Sequence, residues 1–355
     1  MFQLTFGSHT YQKKEDFDQE FTDLPDFAIG ALKFCNDWFS ENESFVQQTS
    51  GSTGIPKKIE ITRAQMIASA KGTQAFFQTN QSTKLLCCLD SAYIAGKMML
   101  VRAMVWGCQI ELTEPKSNPL SGIVAIPDFV AMVPLQVEAC LREKSSLEKL
   151  RAVKNLLIGG APVGFSLKDE LVKNGIEAYQ SYGMTETVSH IAVAKIEEVD
   201  LIYRVLPGVE FGVDERNALW VKSASSNNEL VKTNDLVELI HQNSFKWLGR
   251  ADFVINSGGV KLHPELLESK AESTILQFYP TVSFFFFGMK DARLGEKLCL
   301  AIESTNINKE VSQQLLKALK KVMNKYEIPK NTFVISSFSR TNTGKINRPK
   351  TIENL

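Results

Sequence analysis

Residues 47–58 read QQTSGSTGIPKK, a dozen positions filled with hydroxyls, glycines and two lysines. Backbone N–H groups, side-chain hydroxyls and an ammonium are the donors that a chain of phosphates needs around it. The Walker spacing G-x-x-x-x-G-K-[ST] is absent, because Gly54 is followed by Ile55, Pro56 and Lys57. By composition alone the stretch reads more readily as a surface turn, which is what Gly/Ser/Thr clusters usually are. Four more polar segments share that ambiguity. In YGMTETVSH (182–190), Thr185 can bond a phosphate oxygen and Tyr182 offers a flat face to a base. Glu186 there can hold Mg²⁺, which accepts one or two carboxylates alongside phosphate oxygens. In KTNDLVEL (232–239), Asp235 can accept both hydroxyls of a ribose or simply close a β-turn. GRADFVINSGGVKLHPE (249–265) offers Arg250 to the same ribose, and its Gly258–Gly259 pair allows a close backbone approach. SRTNTGKINR (339–348) holds Lys345 between turn residues, where a lysine is usually only solvated.

The elements between these segments alternate. Thr62 and Gln65 form a T-x-x-Q capping box that opens a helix to about Phe77. KLLCCLD (84–90) reads as a buried strand, GKMMLVRAMVWG (96–107) as a helix and QIELTE (109–114) as a strand. VAMVP (130–134) leads into a helix with Pro134 in its first turn. NLLIGG (155–160) is a strand, 166–175 a helix capped by Gly175, and IEAYQSYG (176–183) a strand and turn. Strand–helix alternation predicts an α/β domain of mostly parallel sheet, with ligands beyond the carboxyl ends of its strands. From about 190 to 250 the pieces EFGVD, ALWVKS, DLVELI and SFKWLG predict a β-rich subdomain. Beyond it come a helix opened by Pro264, strands at 281–288 and 297–304, an amphipathic helix over 308–325 and a last strand, NTFVISS. That makes a small α+β domain, so the expected division is 1–250 and 251–355.

At 355 residues, 44% hydrophobic and 23% charged, the chain has enough apolar material for about two domains without disulfide or metal staples. Forty basic residues balance forty acidic ones, so no overall field attracts nucleic acid. Six cysteines form no C-x-x-C pair and read as reduced, buried thiols. No run reaches the ~18 apolar residues of a membrane span, and the polar N-terminus lacks a signal-peptide core. A cytoplasmic protein is expected.

Taken together and in this order, the five segments resemble the adenylate-forming superfamily of acyl-CoA synthetases, adenylation domains and luciferases. That family's phosphate loop, T-S-G-[ST]-T-G-x-P-K, is matched throughout by TSGSTGIPK; Y-G-x-T-E is matched at 182–186, and G-R-x-D followed by a glycine pair at 249–259. The T-G-D motif appears as Thr233-Asn234-Asp235 and the lysine segment as R-T-x-T-G-K at 340–345. The resemblance runs from about residue 47 to the end. It implies an acid-activating enzyme using ATP, Mg²⁺ and a thiol such as coenzyme A. Thr49, Ser50, Gly51, Ser52, Thr53, Gly54 and Lys57 would then hold the β- and γ-phosphates. Thr185 would bind the α-phosphate, and Glu186 the metal. Gly159, Gly160 and Ala161 would border the adenine, with Tyr182 and Gly183 beside it, and Asp235 and Arg250 would fix the ribose. Lys345 would bridge the acid's carboxylate and the α-phosphate. Asp252 would be the hinge of a rotating small domain, Gly258 and Gly259 would face the thiol's channel, and Lys261 would meet a coenzyme A phosphate.

Two stretches narrow the acid. Arg102 sits inside an apolar helix, and a buried guanidinium needs an anion, either a protein carboxylate or a ligand. MVPLQ (132–136), NLLIGGAPV and TETVSHI resemble stretches of the o-succinylbenzoate–CoA ligases of menaquinone synthesis. In that likeness Ser189 faces the acid, and Arg102 receives the second carboxylate of a small-molecule diacid. Two departures stand out: Asn234 replaces glycine, and only 48 residues precede the phosphate loop where relatives carry many more. A shortened N-terminal subdomain is expected, which a homodimer would complete. His190 has no role in the resemblance and reads as structural.

Overall fold

A computed structural model describes residues 1–48, 58–197, 200–305, 308–340, 346–353 and 355. Its spine is a 13-stranded sheet, and a separate 5-stranded sheet lies in the C-terminal hundred residues. Six strands of the large sheet are parallel, in the order Gln3–Phe6, Gln109–Leu112, Lys84–Cys87, Phe129–Met132, Asn155–Ile158 and Ala178–Gly183. The expected alternation is what builds this block. Helix Ile94–Trp106 connects the strands Lys84–Cys87 and Gln109–Leu112, helices Pro134–Arg142 and Lys144–Ala152 lead to Asn155–Ile158, and helix Phe165–Lys173 leads to Ala178–Gly183.

At Ala178–Gly183 the sheet changes character. That strand is parallel to Asn155–Ile158 on one side and antiparallel to His190–Lys195 on the other. The β-rich stretch follows as an antiparallel run of Ile202–Val205, Ser244–Arg250, Val231–His241, Ala218–Lys222 and Glu210–Val213. It continues the same sheet rather than standing beside it.

Local chemistry accounts for the element ends. Thr62 Oγ1 accepts from the Gln65 N–H at 3.2 Å while Gln65 Oε1 accepts from the Thr62 N–H at 2.9 Å, and the helix runs Arg63–Phe77. Helix Ile94–Trp106 is apolar nearly all round because it is buried nearly all round, between the sheet and helices Arg63–Phe77 and Asp26–Phe39. Gly258 and Gly259, at φ +59° and +82°, turn the hairpin Ile255–Ser257/Val260–Leu262, a left-handed pair that favours glycine at both positions.

The first 48 residues are more structured than the sequence reading expected. Strand Gln3–Phe6 extends the parallel block, helix Asp26–Phe39 buries Leu32, Phe34, Cys35 and Trp38 in the core, and Ser44–Gln48 pairs with Lys58–Thr62. That hairpin pairs down to Gln48 and Lys58, the residues that flank the expected phosphate loop. All six cysteines are free and buried. Among the described residues no helix is long and apolar enough to cross a membrane.

Candidate functional site

A cavity of about 530 Å³ opens at the carboxyl ends of Phe129–Met132, Asn155–Ile158 and Ala178–Gly183, where the sheet turns from parallel to antiparallel. This is the place at which α/β sheets bind ligands. Its wall includes Arg102, Gly159, Gly160, Ala161, Tyr182, Gly183, Thr185, Ser189 and Asp235, from segments spread over more than a hundred residues. The residues expected to surround an adenosine and those expected to receive the acid therefore share one cavity.

At the end expected to hold the nucleoside, Ser181 Oγ donates to the Ile158 carbonyl at 3.1 Å. Gln180 accepts from the Val163 N–H at 3.0 Å and donates to the Tyr203 hydroxyl at 2.6 Å. These bonds hold the bend Gly159–Pro162 against the neighbouring strand. Tyr182 donates its hydroxyl to Asp235 Oδ2 at 2.7 Å, and burial, with the Asp235 carboxylate beside it, keeps the phenol neutral. Its ring meets Tyr203 and Phe245 edge-on, with centroids 5.7 and 5.4 Å away. Thr233 Oγ1 accepts from the Asp235 N–H at 3.0 Å, which fixes the carboxylate's strand.

At the other end lies Arg102, 2% exposed. Its Nη2 donates to Ser189 Oγ at 3.0 Å and approaches His190 Nδ1 at 3.5 Å, while Nη1 meets Met99 Sδ at 3.4 Å. Nε is buried without a partner, and among the described residues no carboxylate pairs with the guanidinium. Burial pulls its pKa down to about 10. Of the two partners that the sequence left open for Arg102, an internal carboxylate is not found among the described residues.

Ser189 is presented by an unusual backbone. Val188 has φ +66° and ψ −53°, and the Ser189 N–H donates to the Thr187 carbonyl at 2.7 Å. That is a γ-turn of the rare positive-φ kind, strained for a β-branched residue. Such strain persists where the surroundings over-determine it, commonly at ligand sites. Gly183 makes room for the turn: a Cβ there would lie 2.3 Å from the Ser189 carbonyl oxygen and 2.5 Å from His190 Cα.

Other expected residues lie elsewhere. Thr49, Ser50, Gly51, Ser52, Thr53, Gly54, Lys57 and Lys345 fall outside the described residues, although Arg340 and Ile346 bridge across the Lys345 segment. Glu186 is exposed on the short turn Thr185–Thr187, next to the cavity wall. Arg250 stands opposite Asp235 in register, but its guanidinium turns to Asp252 Oδ2 at 2.6 Å. Asn234 donates to the same carboxylate at 3.1 Å, so the residue replacing glycine is tied to the expected hinge. Lys261 lines a second recess of about 460 Å³ with Arg216, Asn217 and His263. Two residues stand outside the expected set, His190 having been read as structural. His190 and Thr73 are buried in contact with each other at 3.3 Å, and His190 lines the cavity. A lone histidine and a mid-helix threonine carry no local signal that would have found them.

Comparisons with known proteins bear on the fold and the class of reaction. The family model for AMP-binding enzymes matches residues 10–219. The chain belongs to the AMP-binding enzyme family. A solved acyl-CoA synthetase (AMP-forming)/AMP-acid ligase II-like protein from Dyadobacter fermentans is 38% identical, covers 96% of this chain and 98% of its own, and superposes with a TM-score of 0.65. The 2-succinylbenzoate–CoA ligase of Staphylococcus epidermidis is 25% identical over 345 residues, 87% of this chain and 69% of that protein. Its Escherichia coli counterpart is 24% identical over 280 residues, 75% of this chain and 59% of that protein. The O-succinylbenzoate coenzyme A synthetase of Bacillus subtilis, solved with ATP and magnesium, shares the fold at a TM-score of 0.71 and 22% identity, over 86% of this chain and 69% of that one. AMP-forming acid–thiol ligation is the activity of this class, with ATP and coenzyme A as co-substrates and magnesium as the metal cofactor.

Proposed function

We propose that the chain is an ATP-dependent acid–CoA ligase that works through an acyl-adenylate, with o-succinylbenzoate as its acid. One observation carries the choice of acid: a buried guanidinium at the far end of the cavity lacks any carboxylate partner among the described residues. A buried, unpaired cation is unfavourable until an anion reaches it. A diacid supplies one carboxylate for activation and a second for Arg102.

A carboxylate is a poor acyl donor, because oxide would have to leave. Attack of its oxygen on the α-phosphorus of ATP expels pyrophosphate and leaves a mixed anhydride. The thiolate of coenzyme A then attacks the acyl carbon and expels AMP. The protein's part is positioning and charge neutralisation. Asp235 would take the ribose hydroxyls, Gly159–Ala161 and Tyr182 the adenine, and Thr185 the α-phosphate. The segment 49–57 would take the outer phosphates, and Lys345 would join the acid to the α-phosphate. Magnesium, when bound with the nucleotide, supplies countercharge to the phosphates. The donors fit such an ion: among the described residues no group of three or more His, Cys, Asp or Glu could hold a metal, but Glu186 offers the one carboxylate a phosphate-borne cation needs. Residues 1–250 and 251–355 would act as two units hinged near Asp252, with Lys261 toward coenzyme A.

The test is pyrophosphate release with ATP and Mg²⁺ over o-succinylbenzoate, benzoate, a medium-chain fatty acid and an amino acid, each with and without coenzyme A. Release with o-succinylbenzoate, ending in a thioester only when coenzyme A is present, is the expected result. Release with a monoacid alone would keep the chemistry and overturn the acid. Thioester formation only on a carrier-protein thiol would overturn coenzyme A, and no release with any acid would leave a nucleotide-binding protein without turnover.

A further inference from the structure

Behind Arg102 a line of hydrogen bonds runs back to a main-chain carbonyl. Thr73 Oγ1 lies 3.0 Å from the Ser69 carbonyl oxygen and 3.3 Å from His190 Nε2. His190 Nδ1 lies 3.3 Å from Ser189 Oγ, which lies 3.0 Å from Arg102 Nη2. The polarity of this line is fixed from both ends. A guanidinium has only donors, and Nη2 also faces His190 Nδ1 at 3.5 Å, so Nδ1 must offer a lone pair. The ring proton is then on Nε2 and goes to Thr73 Oγ1, whose own proton goes to Ser69. Ser189 donates its proton to Nδ1 and accepts from Arg102. Each hydroxyl donates once and accepts once.

We propose that His190, set as the Nε2–H tautomer by Thr73, is the positioning residue that makes this cavity select an acid with a second carboxylate. It holds the Ser189 proton, so the hydroxyl oxygen stays turned to Arg102 and fixes the guanidinium's plane. Of the remaining guanidinium N–H groups, Nε has no protein partner and Nη1 meets only the weak thioether acceptor of Met99 at 3.4 Å, which leaves donor capacity for the acid. A neutral His190 also keeps this end of the cavity at one positive charge, the match for one carboxylate. Thr73 is 0% exposed, does not line the cavity and reaches it only through His190. The inference rests on the diacid reading given above.

The experiment uses the full chain and three variants, Thr73→Val, His190→Leu and His190→Gln. Adenylation is followed with o-succinylbenzoate and with benzoate. Thr73→Val and His190→Leu are expected to raise KM for the diacid roughly tenfold, with kcat within about threefold and the monoacid KM unmoved. His190→Gln, whose amide both donates and accepts, is expected to restore the diacid KM to within about threefold. ¹⁵N spectra of the histidine-labelled wild type, which has four histidines, are expected to show one neutral Nε2–H ring that does not titrate down to about pH 5. Equal KM changes for both acids, an unchanged diacid KM, or four histidines titrating normally would overturn the proposal. A wild type without any preference for the diacid would remove the substrate reading and the selectivity claim with it. The spectra would then still report the tautomer, so the two failures are distinct.

Discussion

Arg102→Met offers the sharpest test, because the two roles a buried arginine can play predict opposite outcomes. The guanidinium is 2% exposed, bonded to a serine hydroxyl and a thioether, and faces no protein carboxylate among the described residues. If it receives the acid's second carboxylate, removing it leaves that carboxylate buried without a partner. Breaking a buried ion pair in this way is worth about 3–4 kcal/mol, or several hundred-fold in kcat/KM. A monoacid, which never used the contact, should change by less than about threefold. Stability should move the other way. Methionine fills similar space without the burial penalty that pulls the arginine pKa down to about 10, and Ser189 keeps His190 as an acceptor. Exchanging a buried charge for a packed apolar side chain is often neutral or stabilising. The expected pattern is therefore a large loss on o-succinylbenzoate, little change on benzoate, and a Tm equal to or above wild type. Equal losses on both acids, or a Tm lower by several degrees, would refute the reasoning and make Arg102 a structural residue.

Gly183→Ala should lower stability by about 1–3 kcal/mol in urea unfolding, because its Cβ would sit 2.3 Å from the Ser189 carbonyl oxygen and neither backbone can yield cheaply; it should also raise KM for the acid. His190 should give a pH signature. Burial, and next the Arg102 guanidinium, hold its pKa well below the usual value, so the unfolded chain takes up a proton that the fold refuses. Its contribution to stability is complete above about pH 6.5 and is lost as pH falls below it, by roughly 1.4 kcal/mol per pH unit. Between about pH 7.5 and about pH 5.5 the wild type should lose about 1.4 kcal/mol more than His190→Gln; parallel losses would show that the ring titrates in place. Lys345→Ala should slow adenylation far more than thioester formation from preformed acyl-adenylate, measured separately by pyrophosphate release and by coenzyme A consumption.

Much of the fold could be read from short-range signals. The Thr62–Gln65 box begins its helix where expected, Pro134 opens another, and Gly175, at φ +66°, follows the end of helix Phe165–Lys173. These signals act over three or four residues, so the sequence carries them whole. The motif segments were legible for a related reason: a phosphate or a ribose is gripped by consecutive backbone and side-chain donors. Less could be read in the first 48 residues, where short elements depend on the rest of the sheet: Gln3–Phe6 becomes a strand by pairing with Gln109–Leu112. Arg250 was assigned to the ribose from its motif, but the short turn Ala251–Phe253 that follows it brings the Asp252 carboxylate within its reach.

By itself, then, the sequence determined the alternating α/β plan, the order of the chemical segments, and the presence of a buried cation that needed an anion. Tertiary structure decided which anions were at hand. Arg102 meets Ser189 across 87 residues, and Thr73 meets His190 across 117, because helix Arg63–Phe77 packs both against strand His190–Lys195 and against helix Ile94–Trp106. No periodicity or spacing encodes a contact of that range. It exists only once the sheet has closed over the helices and burial has made every unpaired proton costly.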